Sequence, residues 1–163
     1  MLRHDDTRDE VRDESLRAGI VAFAIYHLAL AAWMAISPHS FYKALGPFEA
    51  LNRHYIRDTA TFTAALGFGF VVAVSRRSWR VPVIAVTTVQ FALHTVNHLV
   101  DASKAHGGWV GISTGWFDFA SLLAATLMLA WMWHAAARRS GTVPAARATA
   151  SVSTPPLSER STT

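Results

Sequence analysis

Residues 81–100 read VPVIAVTTVQFALHTVNHLV. About 20 predominantly apolar residues in a helix span a hydrocarbon core roughly 30 Å thick, so this stretch is long enough to cross a bilayer. It nonetheless carries Gln90, His94, Asn97 and His98, and Asp101 follows it directly. At about 100° per residue these five, with Thr87, occupy an arc of roughly 100°, while Val86, Val89, Leu93, Val96 and Leu99 cover the remainder. A titratable side chain turned to lipid costs on the order of 3 kcal/mol or more. The stripe is therefore expected to face protein, water or a bound cofactor.

Three further apolar blocks, 18–37, 59–75 and 112–134, accompany 81–100 in this 163-residue chain. Only 59–75 is short for a full crossing. None alternates with a two-residue period, which excludes a transmembrane barrel and leaves helices to satisfy the backbone internally. The expected fold is all-α: a four-helix transmembrane bundle over 18–137, between a charged arm (1–17) and a disordered tail (138–163) rich in Ser, Thr, Pro, Ala and Arg. The arm mixes acids with arginines and is expected to be solvated, partly helical or disordered, with no chemistry of its own. A cleaved signal peptide is the competing reading of the first block, since Ala35-Ile36-Ser37 before Pro38 loosely fits a cleavage site. The acidic arm and the length of the apolar run speak against it.

The net charge of +4 has a topological explanation. Arg3, Arg8, Arg12 and Arg17, then Arg76, Arg77 and Arg80, then Arg138, Arg139, Arg147 and Arg160 fall in the first arm, the second connection and the last tail. By the positive-inside rule these are cytoplasmic, so both termini lie inside and two loops outside. Nucleic acid is not an expected partner; the lipid bilayer is, with a homo-oligomer or a membrane partner protein as a further expectation. The high ratio of Arg to Lys fits a GC-rich bacterium, so the location expected is a bacterial plasma membrane, multi-pass. The chain has no cysteine. That removes disulfides, thiolate metal sites, cysteine-ligated clusters and covalent haem.

The connection from 38 to 57 places Phe41, Tyr42, Leu45, Phe48, Leu51 and Tyr55 at helical spacing around Gly46-Pro47, as an interfacial helix would. The connection 76–80 is tight, and 102–111, with Gly107-Gly108, is expected to be flexible. Trp33, Trp109 and Trp116 fall near one interface and Trp79, Trp131 and Trp133 near the other. Ala60, Thr63, Ala64 and Gly67 suit close helix approach.

The polar groups converge in the outer leaflet. If 81–100 runs outward, His94 lies roughly 20 Å and His98 about 25 Å from the inner boundary, with Asp118 of the last helix at similar depth. His54, Arg57 and Asp58 in the run Asn52-Arg53-His54-Tyr55-Ile56-Arg57-Asp58 stand at the rim of that layer. Asp58 also suits a helix N-cap. His27, between Ala24 and Ala31, lies about 6 Å deeper than His94.

Several chemistries share these residues. His94 and His98, four apart on one face, could share a divalent metal with Asp118 or Asp58. The metalloprotease pattern is missing, because Thr95 stands where a glutamate would act as base. A b-type haem needs two axial ligands at similar depth, and His27 with His94 is the pair nearest that geometry. A quinone would take hydrogen bonds from a His and a carboxylate at the lipid–water boundary. Against these stands a purely structural network, in which Asp118 and Asp101 orient the imidazoles and hold the helices together; a proton path is the remaining reading. His134 is expected at the interface, and His4, His39 and His106 in solvent.

Four spans, inside termini and short length resemble the small bacterial membrane proteins of the DoxX-like group over residues 18–137. The resemblance rests on layout and implies a quinone-linked redox association; it transfers no site residue. The function expected is a redox-linked or metal-binding membrane protein using His94, His98 and Asp118, with His27 as a further cofactor ligand. His54, Arg57, Asp58, Gln90, Asn97 and Asp101 would surround them. The alternative is a non-catalytic subunit whose polar network is structural and whose outer loop recruits a partner.

Overall fold

A computed structural model of the chain describes residues 3–45, 48, 50–105 and 108–140. The elements in order are α1 (Arg3–Ile36), α2 (Pro38–Leu45), α3 (Arg53–Ser75), a single 3₁₀ turn (Arg77–Trp79), α4 (Arg80–Asp101) and α5 (Gly108–Ser140). Four segments are long and apolar enough to cross a membrane: Glu10–Ile36, Arg53–Ser75, Arg77–Asp101 and Ser113–Arg139. Gly46, Pro47, His106, Gly107 and residues 141–163 lie outside what is described, as do the side chains of His4 and Trp109.

Two boundaries differ from the sequence expectation. The second span begins at Arg53, not Thr59, so it is not short. Its N-cap is Asn52, whose Oδ1 accepts from the Tyr55 amide at 3.0 Å. Asp58 therefore lies inside the helix and does not cap it. The first helix begins at Arg3 and runs unbroken through the charged arm. It ends where Pro38 follows Ser37, because proline disfavours helical backbone before it yet suits the first position of the next helix. There α2 folds back on α1: the Trp33 indole N–H donates to Ser40 Oγ at 3.1 Å, and the Trp33 and Phe41 rings meet edge to face at 5.7 Å.

The helices pair α1 with α3 and α4 with α5, and contact between the two pairs is much sparser. The start of α1, the α3–α4 turn and the end of α5 share one end, called here the terminal end. The α1–α3 and α4–α5 connections share the other, the loop end. The main core, with Leu16, Ile20, Phe23, Phe70, Val83, Ile84, Phe91, Leu129 and Met132, fills the terminal half and the middle of the bundle. Further buried residues toward the loop end are mostly small, Ala31, Ala60, Ala102 and Ala105 among them. Large rings thus hold the pairs together at one end, while toward the other the rings of Phe48 and His98 meet at 5.3 Å.

Gly67 sets the α1–α3 spacing. A Cβ there would stand 2.9 Å from Leu28 Cδ2 and 3.2 Å from His27 Cβ. Leu28 can rotate aside, so Gly67→Ala should cost about 1–2 kcal/mol, read as a modest drop in thermal midpoint in detergent. Polar residues are also built into the α4–α5 seam. Thr87, Thr88, Thr95 and Thr126 each donate to the carbonyl four residues back at 2.7–2.8 Å, and the Thr95 and Thr126 hydroxyls meet at 2.9 Å. Their hydrogen bonds are satisfied inside the helices, so threonine packs much as valine does.

At the terminal end Asp13 is a hub that the sequence reading did not anticipate. Its Oδ1 accepts from Arg139 at 2.7 Å and Arg80 at 3.4 Å, and Oδ2 faces Arg77 at 3.7 Å. Arg80 is buried and also donates from Nε to the Ala73 carbonyl at 3.3 Å. One carboxylate of the expected idle arm thus joins α1 to the α3–α4 turn, the start of α4 and the end of α5.

Candidate functional site

The buried face of α4 is Val83, Ile84, Thr87, Thr88, Phe91 and Thr95. The polar stripe is centred roughly a quarter turn away from it. Within this one chain Gln90, His94 and Asn97 are exposed, while His98 and Asp101 are half-buried. The stripe flanks the bundle and does not point into its centre.

The stripe lies on the side of α4 next to α3. Toward the terminal end α3 touches α4 where Gly69 faces Val83; a Cβ at 69 would lie 2.9 Å from Val83 Cγ2. Toward the loop end the α4 row from Val83 continues through Gln90, His94 and Asp101, and the α3 row from Gly69 through Leu66, Phe62 and Asp58. Phe62, Asp58, Gln90 and His94 are all exposed, so beyond that contact neither helix covers the other's row. The α3 row carries an aromatic ring, the α4 row an amide and an imidazole.

Deeper in, two polar atoms are buried without a hydrogen-bond partner among the described residues: His98 Nδ1 and Asp118 Oδ2. The His98 ring meets His94 edge to face at 4.7 Å and Phe48, beyond α2, at 5.3 Å. Asp118 is 8% exposed and lies on the α5 row that continues to Leu129 and Met132; farther along, Gly19 of α1 packs on Met132. Tyr26 of α1 is within electrostatic reach of Asp118 and half open to the exterior. Tyr26 and Phe62 are residues that the sequence reading passed over. Tyr26, a phenol inside an apolar span beside His27, was the one visible signal.

The remaining site residues go elsewhere. His27 is 2% exposed; its Nδ1–H donates to the Phe23 carbonyl at 2.7 Å, and its ring stacks on Phe70 at 5.5 Å. Phe91 of α4 stands against it at 5.7 Å. Ala24 and Ala31 are buried beside His27, and the neighbour they admit is α3. His54 and Asp58 pair with each other at 3.3 Å, both well exposed. Arg57 reaches the Ala35 carbonyl at 3.4 Å. Asp101 is held by Lys104 at 2.8 Å. His134 accepts from Arg138 at 2.8 Å.

Among the described residues no three of His, Asp and Glu form a group that could hold a metal ion. The donors His94, His98 and Asp118 are thus not gathered into a coordination set. The arrangement instead offers uncovered rows on α3 and α4, with hydrogen-bonding groups on α4, and two buried polar atoms without a partner among the described residues. No family model, curated protein or solved structure matches the chain.

Proposed function

We propose that the loop end of this multi-pass membrane protein binds a lipid-soluble ligand of the quinone class, entering between α3 and α4. The observation that carries this reading is the pair of buried, unpartnered atoms His98 Nδ1 and Asp118 Oδ2. A buried polar group without a partner costs about 1–3 kcal/mol, and more if it is charged, so such groups mark where a ligand's own donors and acceptors belong. A quinone carbonyl accepts from an imidazole N–H; the hydroxyl of the reduced ring donates to a carboxylate. Phe62, Phe48 and the apolar flanks of α4 suit the ring and its tail. The termini are assigned to the cytoplasm of a bacterial cell by the arginine distribution, and α2 to the outer membrane surface. The layout shared with the DoxX-like group points to the same ligand class.

The test is direct. The chain purified in mild detergent is extracted with organic solvent for quinone, and the same sample is read for visible absorbance and metal content. Quinone is expected to co-purify and to fall at least tenfold in His98→Ala and Asp118→Leu, the loss that one charge-assisted hydrogen bond implies. Asp118→Leu should leave the thermal midpoint unchanged or raise it, because an unpaired buried carboxyl gives way to an apolar side chain. A fall in stability with no ligand in either protein would favour the structural network instead. Stoichiometric metal or a Soret band lost in His94→Ala would replace the quinone by that cofactor.

A second reading has its own observation. Gln90, His94 and Asn97 are exposed on a membrane-spanning segment, where lipid is a poor neighbour. A second copy or a partner subunit packed on α4 would cover them, and side chains that both donate and accept suit a two-fold contact. Crosslinking through Asn97→Cys in membranes would trap such a dimer.

A further inference from the structure

The Asp13 hub is unbalanced. Three guanidiniums, Arg77, Arg80 and Arg139, surround one carboxylate, and only Arg139 makes a close hydrogen bond to it. Both carboxylate oxygens are engaged, yet Arg80 sits at 3.4 Å and Arg77 at 3.7 Å, beyond good charge-assisted distances of about 2.7–2.9 Å. Arg77 is 81% exposed and Arg80 only 9%, so the cluster has a buried floor and an open lip. It lies where three membrane-spanning segments end on the same side: Glu10–Ile36 begins three residues before Asp13, Arg77–Asp101 begins at Arg77, and Ser113–Arg139 stops at Arg139. Trp79, half exposed next to Arg80, is the residue type that settles at headgroup level.

We infer that this cluster is a binding site for the phosphate of an anionic phospholipid headgroup, seated on Arg77 and Arg80 beside Asp13. A phosphodiester presents more acceptor oxygens than a carboxylate and offsets the surplus positive charge. Its acyl chains would run along the apolar outer faces of the spans that converge there. Basic clusters between transmembrane helices at the cytoplasmic surface recognise such headgroups by the same chemistry. The site would hold together, through one lipid, the two helix pairs that Asp13 joins.

The experiment uses the full chain in maltoside micelles doped with phosphatidylglycerol or phosphatidylcholine, or supplied with inorganic phosphate. Retained lipid is counted by native mass spectrometry and stability is read as the thermal midpoint. Phosphatidylglycerol should be retained and raise the midpoint where phosphatidylcholine does neither. Arg77→Gln should weaken retention about fivefold, as the removal of one surface charge implies, while Arg53→Gln at the loop end leaves it unchanged. Asp13→Asn should tighten retention, because it removes the competing anion. Equal retention of the two lipids, or an unaltered Arg77→Gln, overturns the site. An effect of inorganic phosphate equal to that of phosphatidylglycerol overturns its assignment to lipid.

Discussion

Asp13→Ala should lower the stability of the folded chain by about 3 kcal/mol, the low end of what breaking a buried ion pair costs, since the carboxylate is partly exposed. The substitution removes no packing of consequence. It leaves Arg80, buried and fixed at the Ala73 carbonyl, next to Arg139 and Arg77 without the carboxylate that joined them. Three like charges then repel across the junction of α1, α4 and α5. The measurement is thermal unfolding in detergent at low and high salt. Salt should recover part of the loss through Arg77 and Arg139 but little of the part due to Arg80, because a buried charge is screened least. Replacing Glu14, an exposed acid one position along, should change the midpoint by well under 1 kcal/mol. If the two substitutions behave alike, the hub is an ordinary surface ion pair.

Gly115→Ala should be of similar severity at the opposite end. A Cβ at 115 would coincide with the carbonyl of Ala102, backbone that cannot rotate away as Leu28 can at Gly67. The α5 backbone would have to withdraw from the end of α4, costing about 3 kcal/mol, the upper range for overpacking. Asp118, one turn further along α5, would move with it. Gly115→Ala is therefore expected to lose bound ligand as well as stability, whereas Asp118→Leu loses ligand alone. Measured side by side, the pair separates the role of the carboxyl from the role of the scaffold that positions it.

The four spans were legible because hydrocarbon thickness and helical rise leave little freedom in 81–100 or 112–134. The role of the stripe was only partly legible. Periodicity located Gln90, His94, Asn97, His98 and Asp101 on one arc, but it counted threonine as polar. Thr88 and Thr95 hide their hydroxyls on their own helix and take the buried position, which turns the imidazoles to the flank. The uncovered rows could not be read either. The chain brings α3 and α4 together at Gly69 and Val83 and leaves Phe62, Gln90 and His94 exposed beyond that contact, and such pairing leaves no mark on either sequence alone. Asp13 was hidden for a different reason. It is one acid among several in a mixed-charge arm, and its significance comes from residues 77, 80 and 139, far away in the chain.

That separation bears on how the protein is made. The α1–α3 pair can form as soon as Ser75 has left the ribosome, and Arg77 and Arg80 follow within a few residues. The closest partner of Asp13 is Arg139, the last residue of the last span. A chain interrupted before that point would carry the hub without its shortest bond, and α1 without Met132 against Gly19. Arrested or truncated products should therefore hold their first two spans loosely against the third and remain open to membrane proteases, while the completed chain closes in one late step.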